Sequence, residues 1–145
     1  MTAQRRAQVT WDGDLLNGQG RVRFGSGAVP EVPVSWASRT GTSNGKTSPE
    51  ELLAGAHASC YSMALSAELA RNRTPSKTLK VEATATFDKV GEGWKVTTME
   101  LAVEGNVPGI DAAKFEELAE VAKNNCPISQ ALKNNVQVTL RAALV

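Results

Sequence analysis

Two hydrophobic periods divide this chain. From position 78 apolar and polar residues alternate: Leu79, Val81, Ala83, Ala85 and Phe87 in one run, then Trp94, Val96 and Thr98 in the next. Val90, Gly91, Glu92 and Gly93 between them supply turn chemistry, so the pattern predicts a long hairpin with one buried face. Upstream the pattern is helical. Ser48, Pro49 and Glu51 form an opening signal, with Ser48 as cap, Pro49 at the first helical position and Glu51 completing a capping box. Leu52, Leu53, Ala56, Ala58, Tyr61, Met63, Ala64, Leu65, Ala67 and Leu69 then leave little polar face, which predicts a helix buried nearly all round, ending near Pro75.

Asp111 caps a second helix with apolar positions Ala112, Phe115, Leu118, Ala119 and Ala122. Cys126 and Pro127 open a short third one, and Val136, Val138, Leu140, Ala142 and Leu144 make a final strand. The first third carries three short strands, over residues 7–11, 21–24 and 32–36, separated by Gly-rich turns. Residues 38–47, SRTGTSNGKT, contain nothing apolar and read as a loop. Strands and helices come in blocks, so the class is α+β with an antiparallel sheet.

A length of 145 residues fits one domain, spanning positions 1–145. Sixteen Lys and Arg against fifteen Asp and Glu give a net charge of +1, which argues against a nucleic-acid or anionic-membrane partner. No apolar run approaches the ~20 residues of a membrane span, and the polar start carries no secretory signal. Two cysteines are too few for a disulfide scaffold, so a cytoplasmic protein is expected.

Candidates for chemistry are few. Cys60 lies inside the apolar helix, where an inert core thiol is the plain alternative. Cys126, at the start of a short helix, is the better thiolate on local grounds, because helix N-termini favour the anion. His57 stands one helical turn before Cys60, so a Cys–His dyad is conceivable; nothing marks an orienting residue or an oxyanion hole, and a packed core histidine is the alternative. The spacing of Cys60, Cys126 and His57 matches no tetrahedral metal site, and no nucleotide-binding glycine motif is present.

Three segments in combination carry a resemblance: TSPEELLAGAHASCYSMALS at 47–66, VPGIDA at 107–112 and NCPISQAL at 125–132. With Ser38 and Arg39 ahead of a glycine-containing loop, the chain resembles the OsmC/Ohr family of thiol peroxidases, and its OsmC branch more than the organic-hydroperoxide-resistance branch. The resemblance implies antiparallel sheets packed on a long buried central helix, in an intertwined homodimer. It implies a cofactor-free reduction of hydroperoxides, organic ones preferred, with regeneration by an external dithiol of the dihydrolipoamide type. On that likeness Cys60 matches the peroxidatic cysteine, Cys126 the resolving cysteine that closes a disulfide with it, Arg39 the arginine that steadies the thiolate, and Glu50 the carboxylate that holds the arginine. Ser48 stands where Asn is usual, and both cap helices well.

An ordinary thiol with a pKa near ~8.5 is only about 3% thiolate at neutral pH, whereas one near ~6 is ~90% ionised. Cys60 lies too far past the cap for the helix dipole, and burial pushes the wrong way, so a cation must be brought to it. Arginine suits, because its fork can hold a carboxylate and face an anion at once. On one straight helix, however, Glu50 and Cys60 lie ~15 Å apart along the axis. Either the helix breaks near Gly55, or the Arg39–Glu50 pair serves a cysteine on another chain. Trp36, Tyr61, Phe87 and Trp94 could line a substrate pocket, with hydrophobic core as the plainer role. The alternatives to a peroxidase are a non-catalytic redox sensor, a carrier of small hydrophobic ligands, and Cys–His acyl transfer.

Overall fold

Short strands joined by glycine-containing turns fold the start of the chain into a small antiparallel sheet. In the structure, a computed structural model that describes residues 1–145, β1 (Ala7–Asp12), β2 (Gln19–Phe24) and β3 (Val32–Val34) pair in that order. The β1–β2 loop turns at Gly13, whose φ of 93° suits glycine, and the Asp14 carboxylate accepts from the N–H groups of Leu16 and Asn17. The segment expected to be loop from Ser38 opens instead with a helical turn, α1 (Trp36–Thr40). Its cause is local: the Ser35 hydroxyl accepts from Ser38 N–H at 3.1 Å while the Ser38 hydroxyl accepts from Ser35 N–H at 3.0 Å, a reciprocal capping box. The rest of the segment is pinned where Thr47 N–H donates to Pro33 O at 3.0 Å.

Next comes α2 (Pro49–Arg71), unbroken through Gly55. Ser48 caps it, accepting from Glu51 N–H at 3.1 Å, but the second half of the expected box is not made there: the Glu51 carboxylate takes the Thr47 hydroxyl instead. Apolar composition all round does not translate into burial all round. Ala54, His57, Tyr61, Leu65 and Leu69 form one buried face, while the opposite face, with Gly55, Ser59 and Met63, is open, Met63 at 67% exposure.

The alternating runs form β4 (Thr78–Val90) and β5 (Gly93–Asn106), an antiparallel hairpin with a bulge where Thr86 pairs Thr98 and Phe87 pairs Val96. After α3 (Ala112–Asn125) and α4 (Pro127–Leu132), β6 (Gln137–Leu144) returns to pair with β5. Here the sheet departs from the expected antiparallel pattern: β6 runs parallel to β5. Two helices lie between these strands, and a helical crossover returns the chain in its original direction. The α+β class stands.

The chain groups into two compact units, residues 1–52 and 53–145. In the second, Tyr61, Leu65 and Leu69 of α2 pack with Leu101 and Val103 of β5 and Phe115, Ala119 and Ala122 of α3 in one buried cluster that includes Cys126. Gly105 belongs to this fit, since a Cβ there would sit 2.4 Å from the Phe115 ring. Phe87 stacks on Trp94 near the hairpin tip with centroids 4.9 Å apart, and Trp94 stays exposed. No helix is long and apolar enough to cross a membrane.

Candidate active site

In the first unit the α1 turn presents Arg39 to the opening turn of α2. Arg39 Nε donates to Glu50 Oε1 and Oε2 at 3.0 and 3.2 Å, and Nη2 donates to Oε1 at 2.8 Å. A buried glutamate is tolerated only when paired, and a planar fork gripping both oxygens is the strong way to pair it. The Trp36 ring lies beneath the guanidinium, 5.9 Å from Cζ to the ring centroid, which fixes its plane further.

In the second unit, packing joins the two cysteines. Tyr61 fills the core beside Cys60 and donates its hydroxyl to Ala119 O at 3.0 Å, tying α2 to α3. That tie carries the end of α3, where Cys126 N–H donates to Ala122 O at 2.9 Å, to the same level of α2. Cys126 is the capping position of α4 but its side chain makes no cap bond. Cys60 packs against the buried cluster that contains Cys126, which brings the two thiols close enough to influence each other's ionisation, with the Ile128 N–H of the first turn of α4 nearby. Both cysteines are free; Cys60 is half-buried and Cys126 fully buried.

Electrostatically these contacts oppose one another. Burial pushes the Cys60 thiol up, the Ile128 N–H pulls it down, and Cys126 pushes it up again through its hydrogen bond and its charge. Within this unit the balance favours the thiol over the thiolate.

His57, one turn before Cys60, is fully buried and shares a 2.7 Å hydrogen bond through Nε2 with the Ser129 hydroxyl, while its Nδ1 makes none. Burial also holds the imidazole below its ordinary pKa, so it is neutral at pH 7. No three His, Cys, Asp or Glu side chains gather in a way that could hold a metal ion.

Of the four residues singled out from the sequence, the fold joins Arg39 to Glu50 in one unit and Cys60 to Cys126 in the other. Ser129 and the Ile128 N–H were not singled out. The available signal was spacing: Ser129 follows Cys126 by the same three positions that separate His57 from Cys60.

Comparison with known proteins gives a consistent picture. The family model for OsmC-like protein matches residues 41–141. The chain is 38% identical over 136 residues to the peroxiredoxin OsmC of Escherichia coli (strain K12), covering 94% of each. It is 34% identical over 101 residues to the organic hydroperoxide resistance protein OhrA of Bacillus subtilis (strain 168), covering 67% of each. Among solved structures, the organic hydroperoxide resistance protein OhrB of Bacillus subtilis superposes with a TM-score of 0.72 over 94% of this chain and 97% of that one, at 24% identity. An OsmC-like protein from Mycoplasma pneumoniae reaches 0.77 over 100% and 99%, at 11% identity. These two likenesses concern the fold.

Proposed function

The chain belongs to the OsmC-like family, and from that membership we propose that residues 1–145 act as one cysteine-based peroxidase domain reducing organic hydroperoxides to alcohols. The observation that carries this reading is that Cys60 packs against the buried cluster containing Cys126, with both thiols free and each affecting the other's ionisation.

The chemistry runs in three steps. The Cys60 thiolate attacks the outer oxygen of the hydroperoxide; the O–O bond breaks, the alkoxide takes a proton and leaves as alcohol, and the sulfur becomes a sulfenic acid. The Cys126 thiolate then attacks the Cys60 sulfur; an S–S bond forms, the S–O bond breaks, and hydroxide leaves with the proton that Cys126 gave up, as water. An external dithiol of the dihydrolipoamide type reduces the disulfide and is itself oxidised to a cyclic disulfide, in a reducing cytoplasm. Exposure supports this division of roles: a peroxide meets the half-buried Cys60 before the fully buried Cys126.

Ionising Cys60 needs a cation, because its own neighbours favour the thiol. Arg39, held by Glu50, is the proposed source. Since α2 runs unbroken through Gly55, of the two routes by which the pair could serve Cys60 the one through a second chain is favoured, and the proposed form is an intertwined homodimer. The open apolar side chains Val9, Trp11, Leu15, Leu16 and Met63 agree with such cover.

The test is stopped-flow mixing of reduced protein with cumene hydroperoxide. The expected result is fast loss of two thiols per chain, a mapped Cys60–Cys126 disulfide, and no reaction in Cys60→Ser. Activity retained by Cys60→Ser, or both thiols surviving stoichiometric peroxide as in a ligand carrier, overturns the reading. Light scattering at micromolar concentration that finds a monomer overturns the dimer.

A further inference from the structure

Apart from Tyr61, whose hydroxyl ties α2 to α3, His57 is the one buried ionisable side chain that the proposed chemistry leaves unused. It sits fully buried on α2, and its only hydrogen bond is the 2.7 Å link to Ser129 on α4, across 72 residues of sequence. Placing an imidazole and a hydroxyl in a core where an apolar pair would pack equally well costs desolvation that one hydrogen bond barely offsets. Since Nδ1 makes no bond, the ring is oriented by Ser129 and by packing alone.

The placement of this bond is informative. His57 precedes Cys60 by one helical turn, and Ser129 follows Cys126 by one turn. The bond thus joins α2 to α4 beside the two cysteines, Cys60 on α2 and Cys126 capping α4. Of the two helices, α4 is the one in need of a tether. It has six residues, its capping residue Cys126 makes no side-chain cap bond, and a single helical segment that short has little stability of its own.

We propose that His57 and Ser129 are positioning residues for the resolving step, holding the first turn of α4 so that the Cys126 sulfur stays in line with Cys60. The inference rests on the peroxidase reading. It separates the two half-reactions, because the peroxide approaches Cys60 directly whereas Cys126 reaches it only as α4 allows. Loosening α4 spreads the positions of the attacking sulfur, and a displacement of about 1 Å can cost up to ~100-fold in such an intramolecular step. A sulfenic acid that waits for its partner is exposed to a second peroxide, which oxidises it to sulfinic acid with reduction of that peroxide to alcohol.

The experiment uses full-length Ser129→Ala and His57→Gln, with Ser129→Thr as the variant that keeps the hydroxyl. Oxidation of Cys60 is followed by stopped flow, resolution by trapping sulfenic acid with dimedone, and over-oxidation by the mass of the Cys60 peptide. In Ser129→Ala the resolving step should slow about tenfold or more while peroxide attack changes less than about threefold, with sulfinic Cys60 appearing at peroxide levels that leave the wild type intact. Ser129→Thr, and His57→Gln whose amide nitrogen can stand in for Nε2, should recover most of the resolving rate. With His57→Leu as a further single variant, the double variant Ser129→Ala with His57→Leu should be no slower than the slower of Ser129→Ala and His57→Leu, since both break one link. The proposal is overturned if both half-reactions slow by the same factor, if Ser129→Ala resolves at the wild-type rate, or if the double variant is additive. A wild type that forms neither sulfenic acid nor disulfide defeats the peroxidase reading itself, which is a different result from normal resolution in the variants.

Discussion

The two units hold their functional groups by opposite means. In residues 1–52 the only buried hydrophobic side chain is Val22, every residue of β1 is exposed, and the Arg39–Glu50 pair is fixed by contacts close in sequence: the Ser35–Ser38 box, the Trp36 ring and the capped start of α2. Residues 53–145 carry the remaining buried core, and there Cys60 and Cys126 meet only because α2, β5 and α3 pack into one cluster. Charge is placed by short-range capping and sulfur by long-range packing. The difference teaches where damage should register: disturbing the first unit should alter how reactive the thiol is, and disturbing the second should decide whether the thiols react with each other at all.

The sharpest division is expected at Cys126→Ser. With the proposed resolving sulfur gone, one equivalent of hydroperoxide should leave Cys60 as a sulfenic acid that dimedone traps, where the wild type goes on to the disulfide; the mass of the Cys60 peptide measures this. A wild type that traps as much sulfenic acid as the variant would show that Cys126 does not resolve Cys60.

Changes in the first unit should be smaller and graded with pH. Arg39→Ala should lower the thiolate share of Cys60, so the rate constant for peroxide attack at pH 7 should fall about tenfold or more. Only the anion attacks, so the variant's rate should go on rising at a pH where the wild-type rate has levelled off. Glu50→Gln should move the profile in the same direction by less, because the arginine keeps its charge and loses only its anchor. Superimposable pH profiles would remove the first unit from the reaction.

A stability effect comes next. Gly105→Ala would put a Cβ 2.4 Å from Cζ and 2.7 Å from Cε2 of Phe115, a ring with no exposed surface. The ring must shift within a full core, so unfolding free energy should drop by roughly 1–3 kcal/mol and Tm by several degrees, read by calorimetry. An unchanged Tm would mean the core of the second unit is looser than its burial implies.

Much of this arrangement is legible from residue pattern. The helical run after Ser48, the alternation after position 78 and the Asp111 cap each lead to the element observed, because each is a periodic or capping signal of adequate length. What escaped has physical reasons. Five polar-rich residues, Trp36–Thr40, carry no hydrophobic period, and only the serines at 35 and 38 announce the turn. Alternation in β6 reports which face is buried but not which way the strand runs, so its parallel pairing with β5 was not visible. At the site, local sequence favours Cys126 as the thiolate and only the resemblance to a known family singles out Cys60; burial, full at Cys126 and partial at Cys60, depends on packing that local sequence does not report. Ser129 looked like one more polar helix residue, because a bond spanning 72 positions leaves no mark on local sequence.

The smallest effect isolates the buried histidine, and its sign follows from linkage. Burial holds His57 below its ordinary value of 6.5, so over the interval beneath 6.5 the unfolded chain binds a proton that the folded chain refuses. The stability due to the neutral imidazole is therefore complete above pH 6.5 and is lost as pH falls from there to the depressed folded value. His57→Gln removes the titration while keeping a polar side chain of similar reach. Denaturant unfolding between pH 7.5 and pH 5 should show the wild type losing stability relative to the variant, with the difference opening only below about 6.5. Two parallel curves would mean that acid reaches the imidazole in the folded chain as easily as in the unfolded one, which the complete burial of His57 against Ser129 forbids.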